Sequence, residues 1–261
     1  MKRFGFFLFA SLVVLLSFPL ELEGKDASGY ARRKTVGYDN DITKVVNYSS
    51  AEIIIRDGKP SAEIWLYDDK DTFVDFEVNK REIIIRDNDR SKNNSQSETV
   101  VIQLENPESI VNHGAGVITC SDLDAVSLSV RNSGAGVVAL SDIDCTKLDL
   151  NLSGPGMISL SSADTTTLSI LNGGPGMISV DNVDTAKTEI NVPGPGMVTL
   201  GNIDSTTIKV LLSGAGMAVV SGVCSTLTVL NSGSGMVDVQ GLDYTIYKGS
   251  LKDEGFVLLR N

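Results

Sequence analysis

"GPGMISL" at residues 154–160 returns at 174–180 and, as "GPGMVTL", at 194–200. Aligned on the first glycine of each G-x-G, the units begin at Gly114, Gly134, Gly154, Gly174, Gly194, Gly214 and Gly233, separated by five steps of twenty residues and one of nineteen. A fixed period of this length marks a repeat architecture. Each unit reads as G-x-G, an alternating strand, an aliphatic-Asp corner, a Thr/Ser-rich stretch and a second alternating strand. Alternation at period two, with no helical spacing, makes both segments β-strands. Twenty such residues cannot enclose a core alone, but stacked units share one. The fold expected is therefore all-β: a single-stranded parallel β-helix, or solenoid, of about seven 20-residue rungs. At about 4.8 Å per rung the rod would be roughly 34 Å long.

The inward columns follow from the alternation. One runs Ile118, Val138, Ile158, Ile178, Val198, Ala218, Val237, and its companion two residues on runs Cys120, Leu140, Leu160, Val180, Leu200, Val220, Val239. A third runs Leu123, Ile143, Ala163, Val183, Ile203, Val223, Leu242. Across the rung, Leu128, Leu148, Leu168 and Ile208 go with Val130, Leu150, Ile170 and Val210. In "GPGM" the proline and second glycine fit positions i+1 and i+2 of a type II turn, which demands a positive φ at the glycine. The turn-forming residues are then Gly114, Gly116, Gly134, Gly136, Gly154, Gly156, Gly174, Gly176, Gly194, Gly196, Gly214, Gly216, Gly233 and Gly235.

Outside the repeat the chain changes character. Lys2 and Arg3 precede an apolar run, "FGFFLFASLVVLLSF", and "ELEG" restores polarity, so residues 1–24 read as a secretory signal peptide, with an uncleaved anchor as the alternative. Residues 25–50 read as a flexible lead-in, 51–112 as a strand-rich capping segment ("AEIIIRD", "REIIIRD", "ETVVIQL"), 113–243 as the β-helix, and 244–261 as a C-terminal cap. No transmembrane span is expected once the signal is removed. The net charge of −11 argues against nucleic acid or anionic lipid as a main partner. Cys120, Cys145 and Cys224 have no metal spacing and form no disulfide framework. His113 has no neighbouring ligand type and reads as a turn residue.

The repeat resembles the auto-transporter adhesin, head GIN domain family of bacterial envelope proteins, through "NHGAGVITCSDLDAVSLSV", "NSGAGVVALSDIDCTKLDL" and "NSGSGMVDVQGLD". The resemblance covers the chain from about Ala51 onward. It implies an exported right-handed parallel β-helix, a role in adhesion, and no catalytic residues to carry over. One departure stands out. The residue after G-x-G, polar in the family, is Met in five units here.

Those residues, Met157, Met177, Met197, Met217 and Met236, fall opposite the inward positions and should form an outward stripe. Met-rich surfaces bind partners adaptably, so the stripe is the candidate binding site; the competing expectation is that the N-terminal segment folds over it as a lid. A Cu(I) site suits thioethers but is disfavoured. A second column holds Asp124, Asp144, Asp164, Asp184, Asp204 and Asp243, with Cys224 in the sixth place. Asp144, Asp164, Asp184 and Asp204 are a weak calcium candidate, because the glycine-rich nonapeptide of calcium-binding solenoids is absent; carboxylates accepting backbone N–H groups in Asx-turns are favoured. A third, partial ladder is Thr146, Thr166, Thr206, Thr226 and Thr245, interrupted by Val126 and Ala186, and only weakly suggests ice binding.

Enzymatic function is not expected. The rungs are too uniform to build a cleft, and no aromatic residue lies between His113 and Asp243. Aromatics gather at Trp65, Tyr67, Phe73 and Phe76, where an ordinary β core explains them. The sequons at Asn47, Asn93 and Asn151 carry no meaning in a bacterial envelope protein. The functional expectation is an exported, non-enzymatic, adhesin-like surface module for a protein or cell-surface ligand, without cofactor or metal. A periplasmic structural or envelope-signalling scaffold is the alternative.

Overall fold

The computed structural model describes residues 32–38, 42–66, 73–89, 98–252 and 255–260. The segment read as a signal peptide lies outside them. The described residues contain strands and no helix, and none of them forms a helix long and apolar enough to cross a membrane.

The solenoid begins with β8 (Ser109–Asn112) and β9 (Val117–Asn132) and climbs through β10 (Val137–Leu152), β11 (Met157–Leu160), β12 (Ala163–Asn172), β13 (Met177–Val180) and β14 (Val183–Val192). It continues through β15 (Met197–Leu212), β16 (Met217–Asn231), β17 (Met236–Asp238), β18 (Leu242–Leu251) and β19 (Phe256–Leu258). Every neighbouring pair in this series is parallel. The register matches residues twenty apart, as Leu148 with Leu128 and Leu168. The shared interior is aliphatic: Ile118, Val138, Ile158, Ile178 and Val198 are all fully buried. Parallel in-register stacking holds because every rung offers the same face to the next, so each added rung buries both its own apolar row and its neighbour's.

The nineteen-residue step displaces one expected column. The missing residue falls at the corner between Val220 and Gly222, where the register shifts against Leu200 and Ile203. Gly222, at φ 128°, pairs with Ile203 and takes the inward place expected for Val223. Val223 instead faces solvent, 52% exposed, beside Asp204 and Asp243. Cys224 stands one column further on, beside Ser205. Sequence alignment on G-x-G cannot say where inside a unit a residue is lost; the corner absorbs it because a β-strand cannot lose one residue without turning its side chains inside out.

The glycines are required for a different reason from the turn expected. None of those in G-x-G adopts a φ in the left-handed region. The constraint lies between rungs: a Cβ at Gly136 would fall on the carbonyl oxygen of Gly116, and one at Gly156 on that of Gly136, each closer than 3.0 Å. The backbones pass too tightly for any side chain between them. Within the repeat, the non-glycine left-handed positions lie at the opposite corner, at Asp122, Asp142, Asn182 and Asn202, residue types that tolerate this region through their short polar side chains.

The N-terminal segment caps the rod by interlocking with it. β2 (Lys44–Asn47) and β3 (Glu52–Asp57) form a rung directly beneath β8 and β9, with Ser49 and Ala51 under Gly114 and Gly116. Thus part of the stretch expected to be a flexible lead-in, 25–50, is a strand of the solenoid. A further rung, β6 (Glu82–Asp87) and β7 (Thr99–Leu104), lies below β2 and β3 although it comes later in the chain. Three antiparallel strands finish the end: β1 (Arg32–Gly37) on β4 (Ser61–Leu66), β4 on β7, and β5 (Val74–Asn79) on β6.

Candidate binding face

Met157, Met177, Met197, Met217 and Met236 stack directly over one another in adjacent parallel strands. Val117 and Val137 continue the column toward the N-terminal end, and Phe256 continues it on the last rung. Each methionine is flanked by inward neighbours such as Ile158 and Ile178 that are fully buried, and alternation therefore turns the thioethers outward. They are half-buried, Met197 being 37% exposed. The residue between the glycines forms a parallel wall: Pro155, Pro175 and Pro195, exposed and evenly spaced. Between wall and column runs an open trough of about 750 Å³ with no charged side chain in its lining. The described part of the N-terminal segment stacks on the end of the rod and does not cover this trough.

The other columns come together less usefully. Asp124, Asp144, Asp164, Asp184 and Asp204 are in register and exposed. The Asx-turn expected for them is not formed; the corner hydrogen bonds belong to the residues two and three positions earlier. There Ser162 Oγ donates to Asp142 at 2.5 Å and Asn202 Nδ2 donates to Asp181 at 2.9 Å. Asp243 pairs instead with Arg260. No cluster of His, Cys, Asp or Glu suited to a metal exists among the described residues. Thr146, Thr166, Thr206 and Thr245 are exposed, but Thr226 belongs to the next column, opposite Thr207. Val126 is 78% exposed where that ladder should begin.

Two buried polar ladders add to what the sequence suggests. Asn47, Asn112, Asn132, Asn172 and Asn231 are buried just before the glycine turn. Asn132 Nδ2 donates to the carbonyls of Gly136 at 2.8 Å and Met157 at 3.0 Å, and Asn172 repeats this with Gly176 and Met197. The asparagines thus tie the turn of one rung to the Met strand of the next, and hold the thioethers in line. The recurrent Asn two residues before the first glycine is the sequence signal for this ladder. At the far corner Thr165, Thr185 and Ser205 each donate to the carbonyl two residues on. Cys145 and Cys224 sit in this same column.

The remaining candidates are structural. Burial pushes the Cys224 thiol up to about 11 and raises those of Cys120 and Cys145 as well, so all three stay protonated near neutrality. His113 stacks on Tyr48 with ring centroids 4.7 Å apart and bonds Ser133 through Nδ1 at 2.6 Å. Phe76 packs against the core of the N-terminal cap. Phe73 contributes a backbone N–H to Glu98. Tyr67 and Asn93 lie outside the described residues, and the sequon asparagine Asn47 is fully buried.

The family model described as "Putative auto-transporter adhesin, head GIN domain" matches residues 41–200 and 165–251. The chain belongs to this family. No curated protein matches it. Among solved structures, a "putative adhesin" from Parabacteroides merdae superposes with a TM-score of 0.73 at 14% identity, covering 90% of this chain and 98% of that one. A second "putative adhesin", from Parabacteroides distasonis, gives 0.68 at 14% identity, with 88% and 98% covered. A "putative lipid binding protein" from the same organism gives 0.64 at 15% identity, again with 88% and 98% covered. At these identities the likeness is one of fold. The methionine column is a property of this head GIN chain's own sequence.

Proposed function

We propose that this protein is an exported, non-enzymatic β-solenoid that acts as an adhesin-like binding module, and that its ligand lies along the methionine trough. The observation that carries the reading is the unbroken, uncharged column of half-buried thioethers on a molecule whose net charge is −11. Partly exposed apolar stripes of this extent mark interaction sites. Thioether side chains adapt to the shape of a partner, while the rung spacing fixes their separation. An open trough lined by methionine, proline and glycine suits holding rather than turnover, in keeping with the adhesin family to which the chain belongs.

The test has two parts. On intact cells of the native host, externally added protease should digest the protein; protection until the outer membrane is opened would support the periplasmic scaffold instead. Met177→Ser with Met197→Ser should then weaken attachment of the cells by about thirtyfold, each lost thioether contributing about 1 kcal/mol, with no change in folding. Unchanged attachment with lowered stability would overturn the assignment of the trough. The uncharged trough, with one neighbour described as lipid-binding, also favours a second reading, in which it takes an acyl chain: the five methionines span about 19 Å at rung spacing. Uptake of a fluorescent fatty acid by the wild type, lost in the double variant, would establish that version.

A further inference from the structure

Apart from Met1, every methionine of the chain stands in one column: Met157, Met177, Met197, Met217 and Met236. The shape of the rod does not require sulfur there. Val137 and Val117 continue the same column in the same register and at a similar half-buried depth, and valine is by type the better strand residue. What a thioether adds to an aliphatic side chain is flexibility and a sulfur atom that can be oxidised.

The other sulfur atoms are hidden. Cys120, Cys145 and Cys224 are all buried, so among the described residues the methionine column alone presents sulfur to solvent. Oxidation follows exposure, and the trough over the column is open and has no charged side chain in its lining. A small neutral oxidant therefore reaches the thioethers directly. Two residues on along each strand, Ser159, Ser179 and Thr199 share the outward face and offer hydroxyl groups to a new oxygen. The inward neighbours Ile158 and Ile178 are fully buried, so a polar atom added to the methionines stays outside the core.

We infer that the methionine column is an oxidant-responsive modification site, at which an agent of the hydroperoxide class converts the thioethers to sulfoxides and turns the trough from apolar to polar. In each step a sulfur lone pair forms a bond to the terminal peroxide oxygen and the O–O bond breaks. The displaced oxygen takes up the proton and leaves as water or an alcohol; sulfur gives up two electrons and the peroxide accepts them. A sulfoxide oxygen packed dry against the proline wall loses its hydration, so the modified side chains no longer offer a continuous apolar strip. Methionine sulfoxide is enzymatically reducible, which makes the change a switch. Its consequence for binding rests on the trough being the ligand site.

Treatment of the purified, folded chain with hydrogen peroxide tests this. Peptide mapping should find sulfoxide at all five positions, formed at a rate comparable to that in the urea-unfolded chain, while the three cysteines stay as thiols and circular dichroism is unchanged. The oxidised protein should elute earlier from a hydrophobic-interaction column. Met157→Leu, Met177→Leu, Met197→Leu, Met217→Leu and Met236→Leu combined, compared with itself before and after peroxide, should show no shift. Nile red, a neutral apolar dye, should bind the oxidised wild type at least about tenfold more weakly, and a methionine sulfoxide reductase should restore it. Methionines that stay unmodified until the chain unfolds overturn the proposal. So do an elution unchanged by oxidation, an equal shift in the leucine variant, or loss of the strand spectrum on oxidation. Untreated protein that binds no Nile red counts instead against the trough as a ligand site, and mapping and elution then decide the modification by themselves.

Discussion

Between rungs, the smallest residues decide what is permitted. Gly136 has the carbonyl of Gly116 against the place of its missing side chain, whereas Gly173, in the same stretch of a neighbouring unit, has nothing within 4 Å. Gly136→Ala should therefore lower stability by about 3 kcal/mol through overpacking, and Gly173→Ala should be neutral or stabilising by about 0.5 kcal/mol; urea denaturation of the two variants gives the comparison. Asn132→Ala would remove a buried side chain that donates to the carbonyls of Gly136 and Met157 and accepts from the Gly134 N–H and Asn112 Nδ2, and should cost about 2 kcal/mol. Glu98 shows the opposite kind of stress. Its buried carboxyl accepts the N–H groups of Phe73 at 2.7 Å and Val74 at 3.1 Å, yet burial, with Asp87 adding to it, lifts its pKa above the usual carboxylate value. The folded form then binds a proton at a higher pH than the unfolded form does. Glu98 thus makes the protein more stable as pH falls from the folded value toward the unfolded one, and the gain is lost as pH rises again. Thermal melts of wild type and Glu98→Gln across this range should show the acid-side rise only in the wild type.

Strands and corners show why some side-chain columns carry function and others do not. On a strand, alternation fixes the face, so the methionines project outward together and their inward neighbours are buried together. At a corner the backbone turns, and the aspartates of column 124–204 project apart from the hydrogen-bonding groups two and three residues before them. Calcium or a chelator should leave the melting temperature unchanged, since no acidic grouping suited to a cation is assembled among the described residues. The corner column of Thr165, Thr185 and Ser205 also contains Cys145 and Cys224, and the thiols are buried there. An aromatic disulfide reagent at mildly alkaline pH should leave all three cysteines unmodified in the folded protein and label them on unfolding, because both burial and the raised pKa keep the thiolate scarce.

For the whole molecule, stability should behave as a sum over rungs and the contacts between neighbours. Deletion of residues 155–174 removes one full repeat and rejoins Gly154 to Pro175, leaving the register of every remaining column unchanged. The shortened chain should fold to the same circular dichroism spectrum and melt cooperatively at a lower temperature. A deletion of half a repeat from the same place should not fold, because inward and outward columns would no longer stack on their own kind. The interlocked N-terminal rungs give this otherwise local fold a long-range constraint: β2 and β3 must be in place between β6, β7 and β8, β9.

The solenoid, its parallel stacking and the outward direction of the methionines are legible from sequence, because period-two alternation repeated every twenty residues admits one way to bury all the aliphatic rows together. The role of the glycines is not, since close approach between rungs exists only once they are stacked. Nor is the site of the missing residue before Gly222: the count of nineteen is in the chain, but the choice of the corner rests on which positions can lose a residue without reversing a strand. The asparagine ladder has a visible spacing, yet its meaning depends on carbonyls contributed by the next rung. The caps are the least readable part. A strand such as "KVVN" has no pattern that says whether it lies inside the rod or beyond its end; only pairing with β6 on one side and β8 on the other settles its place. The period of this chain determined its architecture, and contacts between residues about twenty or more positions apart decided which of its repeated columns are accessible.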